Sequence, residues 1–140
     1  MSAYKVVRCD IVDKQTLLEA LDNLGLQYVV NDSPQHLEGY ENSLRKQTAE
    51  IIVSRHNLNN CFTGASNDLG FKWNEDERKY DMIISDYDVD NNIGKRIMQS
   101  YAEVAITKAL ATNKFNINKI SGNLKSRTRN NVNIVATRII

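Results

Sequence analysis

Three aspartates at alternate positions, Asp86, Asp88 and Asp90, are the sharpest chemical feature of this 140-residue chain. On extended backbone they would share one side at a spacing of about 7 Å, where carboxylate oxygens can hold a hard cation such as Mg²⁺ or Ca²⁺. The stretch does not follow a calcium-binding loop. Counted from Asp86, the sixth position is Asn91 rather than Gly and the twelfth is Ile97 rather than Glu. The same aspartates also suit the start of a helix, where negative charge is favoured by about 0.3–1 kcal/mol.

The second feature is basic. Lys125, Arg127 and Arg129 alternate, Lys114 and Lys119 precede them, and no acid intervenes. On extended backbone such residues project to one side. They could then bind phosphates in a salt-sensitive way or dock on an acidic protein surface. The one aromatic of this stretch, Phe115, reads as a core residue, so base stacking has no support. A solvated hairpin tip that blocks sheet-edge pairing needs the same charges.

Both features belong to a wider asymmetry. Residues 1–103 hold all 17 acids against 11 bases, a net of −6, whereas residues 104–140 hold seven bases and no acid, a net of +7. Such a split points to an anionic partner or to attraction between copies. His36 and His56 have no carboxylate at a ligand-like spacing, and the six glycines are all separated, which excludes a glycine-rich phosphate loop. Cys9 and Cys61 form no Cys-x-x-Cys pair; Cys9 alternates with apolar neighbours, and Cys61 sits in a polar stretch. No cofactor is implied. No apolar run approaches the roughly 18 residues of a membrane span, and no signal-peptide pattern opens the chain, so an intracellular protein is expected.

The elements that must position these residues follow from periodicity. Residues 4–12 read as a strand with Val7, Cys9 and Ile11 on its apolar face. Asp13 caps a helix whose Leu17, Leu18, Leu21 and Leu24 recur at helical spacing, and Gly25 ends it. A short strand at 26–30 precedes a turn at Asn31-Asp32-Ser33-Pro34, and residues 37–40 form a further short strand. Residues 48–55 form a strand and 57–68 a loop. Residues 69–74 and 80–87 form a hairpin around Glu75–Lys79. A long helix capped by Asp90, Asn91 or Asn92 follows, with Ile93, Ile97, Tyr101, Val104 and Ala105 buried and an end near Asn113. Strands at 117–124 and 132–139 close the chain as a basic hairpin. The expectation is one α+β domain over residues 1–140, mostly antiparallel sheet with two helices packed on one face, in the order β-α-β-β-β-β-β-α-β-β.

Four stretches in register carry a family resemblance. They are Leu17–Gly25; Gly39-Tyr40 with Ala49–Val53; Asp68-Leu69-Gly70-Phe71 with Asn74 and Tyr80–Asp86; and Gln99-Ser100-Tyr101-Ala102 running to Lys114-Phe115. Over roughly residues 1–120 the chain resembles the family of hypothetical chloroplast open reading frame thirty-five, uncharacterised proteins of algal plastids and cyanobacteria, also met in some bacteria and phages. It departs from that pattern after Asp86, where Tyr87-Asp88-Val89-Asp90 replaces Trp-rich residues, and around Cys61, where residues are inserted. The resemblance implies cytoplasm or plastid stroma, or host cytoplasm for a phage-encoded member. Because some bacterial members lie beside genes for AAA+ ATPases, it also implies a role in a protein complex. Seventeen Asn with abundant Ile and Lys suit an AT-rich plastid or phage genome.

The reading is of an accessory protein rather than an enzyme, acting by protein–protein contact with an AAA+ ATPase or another copy of itself. Lys119, Lys125, Arg127 and Arg129 are its candidate binding residues. Nucleic-acid binding through the basic hairpin is the first alternative, and divalent-metal chemistry at Asp86, Asp88 and Asp90 is the second.

Overall fold

The computed structural model describes residues 3–39 and 43–112. The elements run β1 (Tyr4–Ile11), α1 (Lys14–Asn23), β2 (Val29–Glu38), β3 (Leu44–Val53), α2 (Arg55–Cys61), β4 (Leu69–Asn74), β5 (Lys79–Ser85), α3 (Asp86–Asp90) and α4 (Ile93–Thr112). The described strands make one antiparallel sheet in the order β1-β5-β4-β3-β2, so the fold is α+β as expected. The closing strands at 117–124 and 132–139 lie outside the described residues, as does Tyr40.

The long helices form where their caps and stripes place them. The Asp13 carboxylate accepts from the Thr16 amide at 2.9 Å, and Gly25 takes a φ of +77° past the end of α1. Leu17, Ala20 and Leu21 of α1 are buried against Ile93, Ile97, Tyr101 and Val104 of α4 and the apolar face of the sheet. Each large side chain so buried contributes about 1.5–3 kcal/mol. Polar contacts then fix the helix pair. Ser100 Oγ donates to the Ala20 carbonyl at 2.9 Å, and Lys108 Nζ lies 3.0 Å from Thr16 Oγ1 and 2.6 Å from Glu19 Oε2. No described helix is long and apolar enough to cross a membrane.

The helix-bearing face of the sheet carries Ile11, Ile51, Val53, Phe71, Met82 and Ile84, with Val7 and Cys9 partly buried beside them. On the opposite face the register lines up Val29, Ile52, Gly70, Ile83 and Val6 across all five strands. Leu37 packs there with Ala49 and Ile83. Gly70 is obligatory at that crossing, because a Cβ would lie 2.6 Å from the Ala49 methyl and 3.0 Å from Leu37 Cδ2.

Four local expectations are corrected. The turn at Asn31–Pro34 is part of β2, which is one strand rather than two. β2 lies at the sheet edge, and its pairing with β3 is irregular between Val30 and Gln35, so Pro34 interrupts no regular ladder. β3 starts at Leu44, earlier than residue 48. The loop expected at 57–68 begins as helix α2, because Ser54 Oγ accepts from the Asn57 amide at 3.1 Å and Leu58 is buried. β5 ends at Ser85 rather than residue 87, since Ser85 caps α3 in the same way.

Candidate functional site

The aspartates that opened the reading are not on extended backbone. Ser85 Oγ accepts from the Asp88 amide at 3.2 Å and starts the single turn of α3, which carries all three. The pattern Ser85-x-x-Asp88 is a helix-start signature in the sequence itself. The turn separates the carboxylates. Asp86 is partly exposed and pairs with Lys5 at 3.4 Å, and Asp90 is exposed. Asp88 is fully buried, and its carboxylate accepts from the Ser66 amide at 2.9 Å and the Asn67 amide at 3.5 Å. Among the described residues, no group of three or more His, Cys, Asp or Glu is placed to hold a metal ion.

A second buried carboxylate, Asp68, works the same way. Its Oδ1 accepts from the Arg55 amide at 2.8 Å and its Oδ2 from the Glu38 amide at 2.9 Å. Its own amide donates to the Glu38 carbonyl at 2.9 Å, and its carbonyl accepts from Tyr4 Oη at 2.7 Å. Burial, and then the Asp68 charge, push the Tyr4 hydroxyl well above its ordinary pKa, so it stays a neutral donor. The Ser66 and Ser85 hydroxyls meet at 2.8 Å. This node ties β2, α2, the 62–68 loop and α3 together through backbone amides, and β1 through the Tyr4 hydroxyl. Its oxygens are occupied by the fold.

The remaining polar candidates are dispersed. His36 is exposed and its Nδ1–H donates to the Arg45 carbonyl at 2.8 Å, while His56 is exposed on α2. Cys61 is free and exposed. The Cys9 thiol donates to the Tyr80 carbonyl at 3.3 Å, and burial raises its pKa, which keeps it protonated. Lys119, Lys125, Arg127 and Arg129 lie outside the described residues.

The open feature is elsewhere. Among the described strands β1 stands at the edge, paired to β5 on one side, with a register shift between Arg8 and Ile11. The flank of α4 faces outward beside it. Between them runs a groove of about 520 Å³, with Cys9 and Ile11 on its floor and Met98, Ala102, Ala105 and Ile106 on its wall. A second hollow of about 260 Å³, lined by Val7, Ile84, Val89 and Gly94, adjoins it at Met98. Tyr101 fixes the far end, where its hydroxyl accepts from the Val12 and Asp13 amides at 3.1 Å each. Charge stands at the rim: Arg8 pairs with Asp81 at 3.8 Å and Glu77 at 3.7 Å, and Lys79 pairs with Asp10 at 3.1 Å.

Every other residue of an edge strand points its N–H and C=O away from the sheet, available to another strand. Here those groups stand beside an apolar helix wall. The arrangement can pair a strand and bury its alternate side chains, which is binding chemistry rather than bond-making chemistry. Sequence reasoning placed Cys9 and Ile11 on an apolar strand face and Tyr101 and Ala105 on the buried helix stripe. It had no means to see that β1 stands at the edge, because strand order is set by long-range pairing.

No curated protein and no solved structure matches this chain. A family model does match, over residues 20–129, and its description is "Protein of unknown function (DUF1257)". With well over half its length inside that match, the chain belongs to this family of proteins of unknown function.

Proposed function

We propose that this protein is a non-enzymatic interaction module that captures an extended protein segment along the open edge of β1, under the flank of α4. One observation carries the reading: the flank of α4 and the outer strand β1 line an apolar groove, and no described strand lies in front of it. From Gly94 to Ile106 the wall is about 18 Å long at 1.5 Å per residue, enough for five or six extended residues at about 3.3 Å each. The segment that fits carries apolar side chains at alternate positions, and its backbone supplies the pairing. The rest of the chemistry argues in the same direction, since both buried carboxylates are engaged by amides. Within the family, the finer reading is a member of the chloroplast-frame type acting in the cytoplasm or plastid stroma. An AAA+ ATPase or another copy then supplies the captured segment.

Ala102 is exposed on the groove wall, so Ala102→Asp places a charge there without entering the core. Tagged wild type should recover a stoichiometric protein partner from its native cell, and Ala102→Asp should lose it. A partner retained equally by both proteins would put the contact elsewhere. Recovery of the wild type alone at native concentration would end the interaction reading.

A further inference from the structure

The hollow that adjoins the groove differs from it in charge. Its walls are apolar: Val7 of β1, Met82 and Ile84 of β5, Val89 of α3 and Met98 of α4. One charged residue lines it, Lys95, with Asn92 as its polar neighbour. Lys95 is exposed in the first turn of α4, and no carboxylate of the described residues lies within ion-pair distance of its ammonium. The aspartates of α3 do not take that place. Asp86 pairs with Lys5 at 3.4 Å, Asp88 accepts from the Ser66 and Asn67 amides, and none of the three lines the hollow. The rim of the groove is the reverse, since Arg8 is matched by Asp81 and Glu77, and Lys79 by Asp10.

The hollow also lies where the helix wall begins. Along α4, residues from Met98 to Ile106 line the groove and residues from Gly94 to Met98 line the hollow. The Arg96 amide donates to the Asn92 carbonyl at 3.1 Å, and Asn92 itself takes a φ of +64°, outside the helix. A segment that follows the wall toward this end therefore runs out of wall at Lys95. The hollow holds about 260 Å³, against about 150 Å³ for an apolar cavity that binds benzene. One large apolar side chain fits, together with part of its backbone. A chain end placed here sits beside an unmatched positive charge, which repels a terminal ammonium and attracts a terminal carboxylate.

We propose that the captured segment is the C-terminus of a partner protein, with its last side chain, large and apolar, in this hollow and its terminal carboxylate on Lys95. This rests on the reading of the groove as a docking site and names the partner's chemistry. Lys95 then selects chain ends over internal segments.

Two pools of random hexapeptides test it, identical except that one ends in a free carboxylate and the other in an amide, each passed over the immobilised full chain. The carboxylate pool should be retained about fivefold better, the size of effect that one exposed ion pair gives. Its retained peptides should be rich in leucine, isoleucine, methionine or phenylalanine at the last position. Lys95→Gln should abolish the difference between the pools, and Lys95→Arg should keep it. Equal retention of both pools by the wild type overturns the proposal, as does retention with no preference at the last position or no retention of either pool. The proposed function survives those results if Ala102→Asp still loses the native partner. Retention of the carboxylate pool that depends on Lys95 but is unchanged by Ala102→Asp would do the opposite, keeping carboxylate capture at the hollow and sinking the groove as a docking site.

Discussion

The carboxylate node and the β1–α4 groove are opposites in how they use their groups. The node holds two buried carboxylates and two touching hydroxyls, the composition one looks for in a catalytic centre, yet its oxygens accept from the amides of Glu38, Arg55, Ser66 and Asn67. The groove has little to attract a search for chemistry. It consists of an edge backbone and methyl and thioether groups, and no described strand lies in front of them. Chemical character alone therefore misplaces function in this protein. What separates the regions is whether the fold has already satisfied the groups.

The largest test of this contrast is Asp68→Ala. It removes the acceptor of two amides in a buried setting, each worth about 1–3 kcal/mol, so urea denaturation should show a loss of about 3–4 kcal/mol. A loss under about 1 kcal/mol would mean that the carboxylate is not committed to the fold, and the contrast would fail. Next comes Gly70→Ala, which forces a methyl onto Ala49 and should cost about 1–3 kcal/mol. Ala49→Gly in the same chain should recover part of it. Additive effects in that double-mutant cycle would show that the contact does not limit the site.

Asp13 gives a smaller effect with a pH signature. Hydrogen bonds from the Thr16 hydroxyl and amide, and then the nearby Lys108 charge, hold its carboxyl below the ordinary range. A depressed pKa means that its stabilisation is complete above the unfolded value of about 3.9 and is lost as pH falls through the folded value. Asp13→Ala should therefore cost about 1 kcal/mol at neutral pH. Its difference from wild type should shrink below about pH 3.9 in acid titrations followed by circular dichroism. A pH-independent difference would remove the carboxylate from the account. The smallest effect on stability belongs to the groove. Ala102→Asp should change unfolding by no more than about 0.5 kcal/mol while abolishing partner capture, and a large stability loss would make the wall part of the core.

Much of the scaffold was legible because its signals are local. Asp13 before the leucine repeat and Gly25 after it bracket α1, and the apolar runs around Glu75–Lys79 mark β4 and β5. The short helices escaped because one or two turns leave no room for a period. Ser54 and Ser85 were their only marks, and Asp86–Asp90 followed an apolar strand that masked the change of backbone. β2 passes through Pro34 because it is an edge strand, a property of the assembled sheet rather than of those ten residues. The groove was illegible for the same reason. Ala105 read as part of a helix stripe, and only the strand order shows that no described strand lies in front of it.

The contacts that bind α1 to α4 also bear on how the chain is made. Ser100 to Ala20, Tyr101 to Val12 and Asp13, and Lys108 to Thr16 all join residues at least 80 positions apart. A nascent chain that has emerged only as far as β5 holds every strand described here but not the helix that closes α1 onto them. Its apolar face must wait, uncovered, until the ribosome has released α4. Long-range closure of this kind slows folding, and it makes the half-made protein, more than the finished one, the form that needs a chaperone's protection.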